Sequence, residues 1–286
     1  MNDQQILTLI CSGLAIHQSL GRKKPTIFIM PYPHASAAIP VIKSDLGLIL
    51  RQLGHEVISF DPPGIFQSSR EPRLAMEEMV SCARETIEFL NLTDEEILLV
   101  GHSMGGFCSL AYMQEYPESV TKVVLVGTLA SFSAIRRHSG LPWWLSKFDG
   151  NFWRILYYGI RLMFFRGNLA VQKKLNNLYE EASWYKKENV VLETIDGKDN
   201  QKSPSPRANW PRIARKYDFS TFLPRTTQPA LILVGRHDPQ TPAGCSEEIH
   251  ELIPNSRLVI FENSGHFPFS EEPELFSEEV ATFLKK

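Results

Sequence analysis

Cysteine is scarce in this 286-residue chain: there are four, Cys11, Cys82, Cys108 and Cys245, and no two form a C-x-x-C pair. A dense disulfide framework or a structural zinc site is therefore not expected, and a reducing cytoplasm is the default setting. An excess of one charge sign is also missing. Thirty Lys plus Arg stand against 32 Asp plus Glu, a formal net charge of −2, which disfavours a protein built to embrace nucleic acid. No apolar run reaches the roughly 20 residues of a membrane span. The most apolar stretch, 153–165, is interrupted by Arg154 and Arg161. Residues 1–5 lack the positive region of a secretory leader. Internal repeats, P-loops, dinucleotide fingerprints and H-E-x-x-H patterns are absent as well. These absences predict a soluble, cytoplasmic protein with no transmembrane segment, no nucleic-acid partner and no cofactor.

What the chain does have is 43% apolar and 22% charged residues, close to globular averages. Short β-branched and aromatic runs alternate with amphipathic stretches, the pattern of a mostly parallel sheet covered on both faces. Ile6 to Ile10 and Leu14 to Ser19 read as an opening antiparallel pair around Cys11-Ser12-Gly13. Strand runs follow at 26–30, 56–60, 96–100, 121–126, 230–234 and 257–261. Ala75 to Leu90, Met104 to Ala111 and Phe276 to Phe283 carry apolar residues at three- and four-residue steps, the mark of one-sided helices. Between Ser131 and Lys216 the alternation breaks into a segment rich in Trp, Tyr, Phe and basic residues, ending near Ser203-Pro204-Ser205-Pro206. The expected organisation is an α/β core over residues 1–130 and 216–286, with a helical cap inserted at 131–215.

The strand ending at Val100 runs into Gly101-His102-Ser103-Met104-Gly105-Gly106, with a helix next. This is G-x-S-x-G in the strand–turn–helix context of a nucleophile elbow. The two glycines spare a strained turn from clashes, and the helix N-terminus favours a developing anion. A serine needs a base, and the base needs an acid. Of eight histidines, His266 sits in a glycine-bearing loop after the last strand, Ser264-Gly265-His266. Asp238 is the only carboxylate in the loop after the preceding strand, and gives the chain order Ser, Asp, His. His237 is a rival base on the acid's own loop.

These segments resemble the α/β-hydrolase superfamily, in the branch near proline iminopeptidases and related esterases. Asp61-Pro62-Pro63-Gly64-Ile65-Phe66-Gln67-Ser68 is similar to the family's D-x-x-G-x-G-x-S loop, with Phe66 in place of the second glycine and a structural role for Asp61. The family's H-G-x-P loop is replaced by Met30-Pro31-Tyr32-Pro33, followed by His34. The resemblance implies a Ser103–His266–Asp238 triad acting through an acyl-enzyme. It places one oxyanion donor at the Met104 N–H and the other in the loop after Met30. Pro31 and Pro33 carry no N–H, which leaves Tyr32, with His34 as rival. The apolar cap points to a small or medium carboxylic ester. An iminopeptidase-like aminopeptidase is the alternative, with Glu180 and Glu181 as candidate amine-binding carboxylates. A ligand-binding module with little turnover is a reading of another class. A further reading rests Trp143, Trp144, Trp153, Arg154 and Arg161 on a membrane surface, although cap helices lining a pocket give the same pattern.

Overall fold

A computed structural model describes residues 5–21, 23–33, 39–73, 75–139, 152–164, 169–186 and 210–285. In it the apolar runs become eight strands: β1 (Ile6–Cys11), β2 (Leu14–Ser19), β3 (Lys23–Met30), β4 (His55–Phe60), β5 (Ile97–His102), β6 (Lys122–Val126), β7 (Ala230–Gly235) and β8 (Ser256–Phe261). They form one sheet in the order β1-β2-β4-β3-β5-β6-β7-β8. The hairpin of β1 and β2 is antiparallel, and β2 meets β4 antiparallel. From β4 onward every neighbour is parallel.

Each central strand is apolar throughout because both faces are covered. On β5, Ile97 and Leu99 face one core cluster while Leu98 and Val100 face the other, the two-residue alternation of a pleated strand. The first cluster takes in α2 (Met76–Phe89), α3 (Met104–Glu115) and α8 (Ala243–Leu252). The second takes in α1 (Asp45–Gln52), α9 (Pro268–Glu271) and α10 (Pro273–Leu284). Within the inserted segment lie α4 (Phe132–Ser139), α5 (Phe152–Phe164), α6 (Leu169–Ser183) and α7 (Trp210–Ala214). Trp143, Trp144 and the Ser203–Pro206 stretch fall outside the described residues.

Beside the β2–β4 pairing, a buried polar contact ties the opening hairpin to the loop after β4. His17 Nε2 on β2 lies 2.9 Å from Asp61 Oδ1, and both side chains are buried. The second Asp61 oxygen accepts from the Gln67 N–H at 3.0 Å, and the Ser68 hydroxyl donates to the Asp61 carbonyl at 2.6 Å. The 61–68 loop is thereby closed on itself. Within it Phe66 adopts φ 47°, where the resembling loops carry glycine. The side chain is kept at the cost of a left-handed backbone.

Asp61→Ala would strip both His17 and the Gln67 N–H of their buried partner. The expected loss is about 2–4 kcal/mol of unfolding free energy in urea. A loss under about 0.5 kcal/mol would show that the contact does not hold the hairpin.

Candidate active site

Four strand ends on one side of the sheet build the site, and main-chain packing positions them. Ser103 follows β5 at φ 53°, ψ −122°, a region that non-glycine residues occupy only when their surroundings enforce it. The enforcement is visible. Ser103 N donates to the Val126 carbonyl at 2.8 Å, and the Ser103 carbonyl accepts from Thr128 Oγ1 at 2.8 Å. A Cβ on Gly101 would sit 2.6 Å from Gly106 Cα, and one on Gly105 would sit 2.5 Å from the Met30 carbonyl. Glycine is required at both by this close approach. The same approach sets Met104, the first residue of α3, against the end of β3, with Tyr32 two residues beyond that end. Ser103 and Met104 are half-buried.

The loops after β7 and β8 meet beside this turn. His266 Nδ1 lies 2.7 Å from Asp238 Oδ2, with Asp238 fully buried and His266 nearly so. The carboxylate has three further donors. Its Oδ1 accepts the backbone N–H groups of Gln240 at 2.8 Å and Thr241 at 2.9 Å, an Asx-type turn that fixes its own rotamer. Its Oδ2 also lies 2.8 Å from the Thr241 hydroxyl. A carboxylate only accepts, so the Nδ1–H of His266 is the donor in this contact. Gly127, at the end of β6, leaves room for the pair: a Cβ there would lie 3.1 Å from Asp238 Oδ2.

His102 joins the turn at Ser103 to the loop of His266. Its Nε2 lies 2.8 Å from the His266 carbonyl and its Nδ1 lies 2.5 Å from the Tyr32 hydroxyl. A carbonyl only accepts, so Nε2 carries the hydrogen and Nδ1 accepts from Tyr32. Tyr32 therefore brings a side-chain contact beyond the backbone N–H expected of it. The His102 and His266 ring centroids are 4.5 Å apart, which puts His266 beside the residue that precedes Ser103.

The remaining candidates separate. His237 is exposed and stacks on Tyr185 at 4.2 Å, away from the pair. His55 is buried against the Pro25 carbonyl at 2.9 Å, and His138 lies 2.7 Å from Glu248. Glu181 is half-buried near the end of α6, two residues before Ser183. Glu180 lies on the same helix with its side chain outside the described ones, and His34 lies outside the described residues. Among the described residues no three His, Cys, Asp or Glu side chains gather so as to hold a metal ion.

Sequence reasoning missed the contacts that tie the segment between β6 and β7 to the loop of His266. The His266 N–H donates to the Ser183 carbonyl at 2.7 Å, and Gln240 Nε2 donates to Ser183 Oγ at 2.6 Å. Glu271 binds the N–H of Gly265 at 2.7 Å through one oxygen and that of Tyr185 at 2.8 Å through the other. Thr241, three residues after Asp238, carried a turn signature that could have been read; Ser183 and Glu271 carried no local signal.

A family model of the alpha/beta hydrolase fold matches residues 40–273. The chain belongs to this family. It is a hydrolase, and its relatives bear hydrolase names. It is 25% identical over 232 residues to the pimeloyl-[acyl-carrier protein] methyl ester esterase of Vibrio vulnificus (strain CMCP6), covering 79% of this chain and 82% of that protein. It is 24% identical over 257 residues to the proline iminopeptidase of Saccharolobus solfataricus, covering 82% of this chain and 77% of the other. Among solved structures, an alpha/beta fold family hydrolase from Bacillus anthracis str. Sterne superimposes with a TM-score of 0.71 at 23% identity, over 98% of this chain and 99% of that one. That last likeness concerns the fold alone. No helix among the described residues is long and apolar enough to cross a membrane.

Burial raises the carboxyl pKa of Glu271 above its ordinary 4.5, against backbone N–H donors that lower it. A carboxyl whose folded pKa is raised contributes most to stability below its unfolded pKa, and loses that contribution as pH rises through the folded value. Glu271→Gln should abolish this loss. The thermal midpoint of the variant relative to wild-type hydrolase should therefore climb from about pH 4 upward. A relative midpoint that falls over the same range would show the carboxylate to be net stabilised by its two N–H donors.

Proposed function

We propose that the hydrolase cleaves a small or medium carboxylic ester with an apolar part, through an acyl-enzyme on Ser103. The observation that carries the reading is the buried His266–Asp238 contact of 2.7 Å, on the two loops beside a serine held at φ 53°. His266 Nε2, the nitrogen not engaged by Asp238, takes the Ser103 hydroxyl proton as Oγ attacks the ester carbonyl carbon. The carbonyl electron pair moves to oxygen, where the N–H groups of Met104 and Tyr32 are the assigned donors. Collapse of the intermediate breaks the C–O bond, and the departing alcohol takes the proton from His266. Water then repeats the sequence on the acyl-enzyme, releasing the carboxylic acid and restoring Ser103. Asp238 holds the imidazolium that forms in both halves. The segment 131–215 serves as the cap that selects the acyl group. The esterase named among the relatives supports this substrate class.

A second reading, an aminopeptidase acting on an N-terminal amide, draws on the iminopeptidase relative and on Glu181. That half-buried carboxylate lies two residues from Ser183, whose carbonyl holds the His266 N–H. A free substrate amine would need such an anion, with Glu180 as the adjacent candidate.

Ser103→Ala should lower kcat by roughly a million-fold with folding intact, and fluorophosphonate labelling of the wild type should vanish in the variant. Label retained elsewhere on the chain would refute Ser103. A panel of p-nitrophenyl esters and proline-headed or other aminoacyl amides separates the two substrates. Ester turnover should dominate, and its ratio to amide turnover should stay unchanged in Glu180→Gln and Glu181→Gln. Selective loss of amide turnover in either variant would favour the aminopeptidase. Tight product binding without turnover of any substrate would favour a receptor.

A further inference from the structure

The near-neutral net charge conceals a separation. Residues 131–215 hold 15 of the 30 Lys and Arg but only 7 of the 32 Asp and Glu. The rest of the chain holds the other 15 basic residues against 25 acidic ones. The molecule is therefore a positive insertion on a negative core.

Helix α5 shows how that charge is presented. Its 13 residues include no acid. Arg154 is exposed, Tyr157 is 53% exposed and Ile160 is 45% exposed. Their three-residue spacing puts them on one stripe. A Cβ on Gly159 beside them would meet no atom of the described residues within 4 Å. Arg161 completes the stripe, its guanidinium 5.6 Å from the Tyr157 ring centroid. On the neighbouring α6, Lys174 is exposed, with its ammonium 5.7 Å from the Tyr158 ring.

We infer that this face of α5 and α6 docks the hydrolase on an anionic lipid surface, with Tyr157 and Ile160 entering the interface and Arg154, Arg161 and Lys174 meeting headgroup phosphates. A large aromatic and a branched aliphatic side chain flanked by cations, on an acid-free helix, match the interfacial helix rather than a membrane span. An acidic protein would satisfy the cations, but it gives no reason for the apolar pair between them. Arg154, Arg161 and Lys174 add direction: an anionic plane attracts the face that carries them, so the molecule lands with this face down. The proposal is independent of the reaction at Ser103.

Co-sedimentation of the full chain with vesicles tests it. Vesicles of phosphatidylcholine alone are compared with vesicles containing about 30 mol% phosphatidylglycerol. Partition into the anionic vesicles is expected, weakened by high salt. It should drop about ten-fold in the double variant Tyr157→Ser, Ile160→Ser, and comparably in Arg154→Gln, Lys174→Gln. Both variants should keep the wild-type thermal midpoint and far-ultraviolet circular dichroism, which shows that they fold. Partition that is equal on the two vesicle types, or untouched by either variant, overturns the proposal. Binding to neither vesicle, with salt-sensitive binding to polyglutamate, would overturn it in favour of an acidic protein.

Discussion

Main chain pressed on main chain around residue 103 is the constraint from which the site follows. A serine at φ 53°, ψ −122° costs roughly 1–3 kcal/mol relative to relaxed backbone, and it persists only where its neighbours over-determine it. Three elements supply that pressure. Strand β6 takes the Ser103 N–H through Val126, and Thr128 beyond it donates to the Ser103 carbonyl. Strand β3 ends against Gly105. Helix α3 starts at once, so its first N–H groups are free of intrahelical partners at the point where Ser103 is offered. The strain and the start of the helix are therefore one construction.

The corner where Asp238 meets His266 is set by similar crowding. A Cβ on Gly235 would lie 2.0 Å from the Gly265 carbonyl, so the loops after β7 and β8 run in backbone contact. Asp238 spends its acceptors on its own turn, on Thr241 and on His266, and no rotation is left to it. The inserted segment reaches this corner through Ser183 and Tyr185, whose polar groups meet the loops of both Asp238 and His266. Displacement at the end of α6 would thus be felt at the imidazole by way of backbone hydrogen bonds.

The parallel strands and the elbow were legible because their signals are local: apolar runs of five or six residues, and glycines at fixed offsets from Ser103. Asp238 and His266 were legible through loop position, since each follows a recognisable strand. Strand limits drifted where polar residues pair in the sheet, as at Lys23 and Lys24 at the start of β3. Helix α1 escaped notice because Asp45–Gln52 is short and its apolar stripe is interrupted by Gly47. The partners of His102 and the clamp made by Glu271 join residues 70 or more apart in the chain, as with Tyr32 and His102 or Tyr185 and Glu271. No spacing rule announces such pairs, and they exist only once the strand order is known.

The sheet order has one more consequence. Strands β6 and β7 are hydrogen-bonded neighbours in register from Val123 and Ala230, yet roughly a hundred residues separate them in the chain, and closing a loop of that size costs only about 0.6 kcal/mol more than closing one half as long. The core is therefore almost indifferent to the length of what is spliced between its two most central late strands. Under mutation and recombination this junction is where the molecule has latitude: segments of different size and charge can be exchanged there, provided that the contacts made by Ser183 and Tyr185 with the loops of Asp238 and His266 are kept.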